Sequence, residues 1–231
     1  MLDVDKKSIT ELRDPSEVMK LSRMGSFHQS RLSFMRILMR QIRDENWKFK
    51  REEFNVNNKG VGHAIYSATG PKNTYSLIAF AHDLPDEKRS DRVIADAWDA
   101  TFTLYDGRPS EEDIERLKKN VPLQEVGRIS ENELCLSRAN KSVRLWDHVI
   151  SSLSAGCQPD VEQIDSVGYL MRTTAVYGSG KFGAVDREFV SDRTEFKAPF
   201  QYELLSVFMI RWFVLDLVNQ MANVQNPDKA V

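Results

Sequence analysis

The chain has 231 residues, 41% of them hydrophobic, enough to bury one large core and close to the upper limit for a single domain. Its 32 basic and 34 acidic side chains nearly cancel, leaving a net charge of -2, so no global field draws it to nucleic acid or to an anionic membrane. Any anion site must be local, and the expectation is one α+β domain over residues 1–231.

Residues 1–7 are acidic and polar, without the apolar stretch of a secretory signal, which predicts a cytoplasmic protein. A helical segment follows over residues 15–45, where Met19, Met24, Leu32, Met35, Leu38, Met39 and Ile42 approximate an apolar stripe. Arg31, Arg36, Arg40 and Arg43 lie on the other side, as a solvated basic face or a contact for an acidic partner. Gly25 divides the segment and opens a possible anion site at a helix start: Arg23, Ser26, His28 and Arg31 gather around it, and free amides at a helix N-terminus accept an anion. Ser26 with Gln29 is equally an ordinary capping box.

Between residues 47 and 105 the pattern turns to extended segments, 47–56, 61–68, 74–82 and 94–105, separated by turn-rich or charged stretches. This predicts a four-stranded antiparallel meander. With residues 70–73 as a hairpin loop, Thr69 pairs with Thr74 and His63 lies opposite Phe80; His63 and His82 then share one face, with Ala64, Tyr66, Leu77 and Ala79 on the other.

A helical half is expected over residues 110–222, ahead of a polar tail, 223–231. Ser110 caps a helix whose first turn is acidic, in keeping with the helix dipole. Ala139, Val143, Trp146, Ile150 and Leu153 recur at helical spacing, and Gly156 follows as a stop. The next helix is expected from Asp160 to Gly178, burying Ile164, Val167, Met171 and Thr174, and the last from about residue 199 to 222.

The strongest candidate for chemistry is the glycine-rich stretch after that third helix. Gly178, Gly180 and Gly183, with Ser179 between the first two, free the backbone to turn its amides inward around an oxyanion, and Lys181 adds a point charge. The order lacks the four-residue spacer and the Ser or Thr of a Walker A loop and does not meet the dinucleotide fingerprint. Arg172 and Arg187 would clamp the same ligand; the structural alternatives are a glycine helix cap with a surface connection, and arginines paired with nearby carboxylates. About twenty residues separate Gly178 from Ala198, a length more typical of binding loops than of connectors. If chemistry occurs, His28 is the first choice for acid or base and Tyr177 the second. No cofactor is implied.

Other chemistries lack support. The four histidines show no metal-ligand spacing, and neither do Cys135 and Cys157, which fit reduced thiols. No Gly-x-Ser-x-Gly elbow is present. Residues 204–218 are almost wholly apolar, yet Arg211 and Asp216 interrupt them and the run is short for a membrane span, so a buried or interface helix is expected. A helix apolar all round needs cover all round, from this domain, a homodimer partner or a further domain. The reading is binding of a small anionic, phosphate- or carboxylate-bearing metabolite between sheet and helices. The alternative is an assembly protein using residues 204–218; a nucleic-acid binder is third.

Overall fold

The computed structural model describes residues 32–88, 97–119, 130–142, 144–177, 192–196 and 201–230. Among them, six strands form one antiparallel sheet in which every strand pairs with its chain neighbours: β1 (Lys48–Val56), β2 (Gly62–Thr69), β3 (Thr74–Ala81), β4 (Ala100–Asp106), β5 (Glu133–Lys141) and β6 (Met171–Tyr177). Five helices accompany it: α1 (Leu32–Asp44), α2 (Glu111–Lys119), α3 (Trp146–Ser154), α4 (Val161–Val167) and α5 (Gln201–Gln225).

The class is α+β as the sequence predicts, but the sheet has six strands rather than four. The first three strands follow the expected register, with Thr69 opposite Thr74 and His63 opposite Phe80, and Gly70 N–H bonds the Asn73 carbonyl across the loop at 2.9 Å. The β1–β2 turn is held by Asn57, whose side-chain oxygen accepts from Lys59 N at 2.9 Å and Val61 N at 3.1 Å. Gly62 opens β2 at φ +152°, where a Cβ would stand 1.9 Å from the Asn55 carbonyl oxygen, so the close approach of β1 and β2 admits no side chain there. The fourth strand begins at Ala100 rather than at residue 94; residues 97–99 are not extended, and 89–96 lie outside the described residues.

The two additional strands fall where the sequence predicts helix. The stripe through Ala139 combines two elements: Ala139 belongs to β5, paired with Ala100 on one side and Thr173 on the other, and the helix begins only at Trp146. The helix expected from Asp160 to Gly178 is α4. Asp160 does cap it, accepting from Glu162 N at 2.9 Å, but Gly168 adopts the left-handed conformation (φ 79°) and ends it. Chain from Met171 onward, with Thr173, Thr174, Val176 and Tyr177, has the β-branched and aromatic content that suits a pleated surface, and it becomes the sheet edge.

Ala64, Tyr66, Leu77, Ala79, Phe102 and Leu104 bury one sheet face under α1, α3 and above all α5. Phe213 of α5 meets Phe102 edge-to-face at 5.4 Å. On the opposite face Ile78, Phe80 and Tyr105 pack against Leu117 and Ile114 of α2. That helix carries the expected cap: Ser110 Oγ accepts from Asp113 N at 3.2 Å while Asp113 accepts from Ser110 N at 3.0 Å. Burial raises the Asp113 pKa, but hydrogen bonds from Ser110 and Arg116 outweigh it and hold it at about 2. In α1, Leu38 and Ile42 are buried while Arg36, Arg40 and Arg43 face outward.

Helix α5 is not buried all round. Leu204, Leu205, Met209, Ile210, Phe213 and Leu217 are inside, whereas Trp212 is 49% and Leu215 54% exposed. By length and composition it could also cross a bilayer, and 44% of its most apolar stretch is buried within the domain.

Candidate functional site

The exposed side of α5 and the free flank of β1 meet at a cleft of about 370 Å³, lined by Phe49, Arg51, Tyr66, Met209, Trp212 and Asp216, with Lys50 and Ser67 at its edge. Aromatic contacts make its wall continuous: Phe49 meets Phe208 with ring centroids 5.0 Å apart, and Phe208 meets Trp212 at 6.4 Å. Phe208, Trp212 and Leu215 recur at spacings of four and three, which places them on one stripe of the helix.

Polar chemistry in the cleft centres on Asp216. Its Oδ2 accepts from the Tyr66 hydroxyl at 2.6 Å and its Oδ1 lies 3.3 Å from Arg51 Nη1. Burial, then the bond to Asp216, pushes the Tyr66 phenol well above the usual tyrosine range, so it stays a hydrogen-bond donor. Arg51 also lies 5.7 Å from the Phe54 ring centroid, and its side chain is 56% exposed. The arrangement can hold an apolar or aromatic group against Trp212 and Phe49 while presenting a guanidinium at the rim.

Of the residues the sequence singles out, Arg23, Ser26, His28, Arg31, Gly178, Ser179, Gly180, Lys181, Gly183 and Arg187 lie outside the described residues. Tyr177 ends β6, opposite Leu136. Arg172 stands on that strand and not on a helix, exposed and opposite Asn140. Five residues of extended chain set Arg172 about 17 Å from Tyr177, so it does not share the sheet end from which the glycine stretch departs.

That sheet end is closed by a buried polar network. Glu195 accepts from Tyr75 and Asn73, its carbonyl accepts from Gln41 Nε2 at 2.7 Å, and Gln201 donates to Gln41. Arg193 pairs with Asp106 and Lys72 with Thr194. Burial raises the Glu195 pKa, but the bonds from Tyr75 and Asn73 prevail and hold it below the usual carboxylate value. Trp47 and Phe196 enclose Tyr75, with centroids at 6.1 and 5.1 Å. This network fixes residues 192–196 to the sheet.

The described histidines are individually engaged. His63 Nε2 is 2.9 Å from Glu53 Oε1, and His82 Nε2 is 3.0 Å from Thr101 Oγ1. Among the described residues no three His, Cys, Asp or Glu side chains form a group able to hold a metal ion.

Fold and cleft together define an α+β domain whose meander sheet is helix-covered, with an aromatic cleft beside one free edge. No protein-family model, curated protein or solved structure matches the chain. Sequence reasoning missed Arg51, Tyr66 and Trp212 as a set, since they come together only when α5 lies on β1 and β2. The available signal was Asp216, an acid in an apolar helix, which needs a partner.

Proposed function

We propose that this domain is an interaction module that binds protein through the α5 stripe and the adjoining β1 flank, with a second copy of the chain as its partner. The observation that carries this reading is the continuous surface from Phe49 through Phe208 to Trp212 and Leu215, the last two about half exposed. Tryptophan is enriched at the centres of protein interfaces, and an apolar surface of this kind, rimmed by charge, marks an interaction site. The test is solution mass by light scattering across concentration. Wild type is expected at twice the 26.6 kDa chain mass, with Trp212→Ala and Leu215→Glu shifted toward the single chain. A wild-type protein that stays monomeric at 100 μM would refute the reading.

A small anionic ligand is the second reading, favoured by the position of the cleft between sheet and helix and by Arg51 at its rim. Its volume falls within the range of ligand pockets. The Gly178, Ser179, Gly180, Lys181 and Gly183 stretch, which follows β6 at the other end of the strand order, is a separate anion site in this reading. Phosphorylated and carboxylated metabolites at 100 times their dissociation constant should add about 2.7 kcal/mol to stability. That gain should vanish in Arg51→Ala or Lys181→Ala, whichever residue holds the anion; if no compound stabilises wild type, this reading fails.

A further inference from the structure

We propose that β1 pairs antiparallel with β1 of a second copy across a two-fold axis, joining the two sheets edge to edge. The inference rests on the assembly reading above and specifies its geometry. Among the described residues β1 is the first strand of the sheet and is paired on one flank only, by β2. An unpaired strand edge is a template for another strand, and an isologous interface requires that edge to be complementary to itself.

The sequence of β1 has this property. Lys48, Phe49, Lys50 and Arg51 are followed by Glu52, Glu53, Phe54 and Asn55, a basic half and then an acidic half with a phenylalanine in each. Laid antiparallel against itself about a point between Arg51 and Glu52, the strand sets Arg51 opposite Glu52, Lys50 opposite Glu53, Phe49 opposite Phe54 and Lys48 opposite Asn55. Moving the register by one residue in either direction brings Arg51 against Arg51 or Glu52 against Glu52, and like charges directly opposite are destabilising.

The bulge in β1 makes this register possible. Side chains alternate faces with period two, so in a regular strand positions five apart, such as Phe49 and Phe54, point to opposite faces and could not pair across a two-fold axis. Here the register shifts between Arg51 and Glu53, leaving Glu52 as the additional residue. Phe49 pairs with Ala68 and Phe54 with Ala64, which share the helix-covered face; Lys50 pairs with Ser67 and Glu53 with Ile65, which share the other. Phe49 with Phe54, Lys50 with Glu53 and Lys48 with Asn55 therefore each share a face, whereas Arg51 lies on the helix-covered face beside Asp216 and Glu52 on the other beside Ser67, so those three pairs carry the match.

The charges remain available at the edge. The Lys50 and Arg51 side chains are 71% and 56% exposed, and their present partners, Glu52 and Asp216, are within the same chain. The cationic ends of these partly exposed pairs stay in solvent, so they contribute modestly and can be exchanged for partners across the axis. On the helix face the joined edges would bring the two Phe49 side chains, each in contact with its own Phe208, toward the axis, with the α5 stripes flanking it.

The test combines charge reversal with cross-linking. Lys50→Glu should weaken dimerisation at least tenfold, as should Glu53→Lys, and the double variant Lys50→Glu/Glu53→Lys should restore it, with circular dichroism verifying the fold of each. In a Cys157→Ser background, which removes the exposed native thiol, a mixture of Lys50→Cys and Glu53→Cys chains should oxidise to a mixed disulfide. Neither chain alone should do so efficiently. A wild-type monomer overturns both the assembly reading and this one. A dimer weakened by Trp212→Ala but indifferent to Lys50→Glu, or a folded double variant that stays monomeric, overturns the β1 pairing alone. If β1 instead receives an extended segment of another protein, no mixed disulfide forms, which also refutes the proposal.

Discussion

Removing the guanidinium of Arg116 tests whether the buried carboxylate of Glu133 depends on it. Glu133 has a fully buried side chain, and its Oε1 lies 2.5 Å from Arg116 Nη1 and 3.3 Å from the Ser130 hydroxyl. Arg116→Met preserves much of the alkyl stem but withdraws the opposing charge. It also forfeits the 3.2 Å pair with Asp113, a partly exposed interaction worth about 0.5 kcal/mol. Breaking a buried pair by removing one partner costs about 3–5 kcal/mol. Urea unfolding at pH 7 should therefore show Arg116→Met less stable than wild type by about 3–5 kcal/mol. Arg116→Met/Glu133→Leu should lie within about 1 kcal/mol of wild type, since an apolar replacement of a buried pair is often neutral. A single-variant loss below about 1 kcal/mol, or a double variant no more stable than the single one, would refute the reasoning.

Phe213→Ala removes a fully buried ring packed edge-to-face on Phe102 and should cost about 3–5 kcal/mol, read as a lower urea midpoint at unchanged slope. Gly62→Ala forces a Cβ against the Asn55 carbonyl and should cost about 2–3 kcal/mol; a neutral effect would mean that β1 and β2 do not approach as described. Burial holds the His82 imidazole below its ordinary value, with Asp99 opposing in part. The folded state thus binds its proton less readily than the unfolded chain, and the associated stability is full above about pH 6.5 and is lost as pH falls through the lowered folded value. His82→Gln, which can keep a bond to Thr101, should flatten the stability profile between pH 7 and 5, and an unchanged slope would remove His82 from that account.

The sheet was legible as far as its turns were punctuated. Gly70 to Asn73 fixes the β2–β3 register, and the Ser110 cap announces α2, because both signals are local and chemical. β5 and β6 were hidden for a different reason. Strands covered on both faces lose the polar–apolar alternation, and Glu133–Lys141 is buried at most positions regardless of parity. A helical period could then be drawn across the junction of β5 and α3, through Ala139 and Trp146. Gly168 was the overlooked stop, since Met171 and Thr174 continue the spacing of Ile164 and Val167 beyond it. The cleft was less legible still: Arg51 and Asp216 stand 165 positions apart, and their 3.3 Å contact exists only through the placement of α5.

The unbroken neighbour-to-neighbour order of the six strands has a consequence for how the chain is made. The β1–β2 and β2–β3 hairpins can close as soon as their second strands have been synthesised, and β4, β5 and β6 then each add to the strand before them across longer connections, so no pairing waits for a later strand to insert between neighbours. The helix that shields Tyr66, Leu77 and Phe102 is the last described element to be translated. At synthesis rates of roughly 5–20 residues per second, a nascent sheet waits seconds with an oily face turned to the cytosol or to whatever compartment receives it. That interval, rather than the stability of the finished domain, is where chaperone demand and aggregation should concentrate.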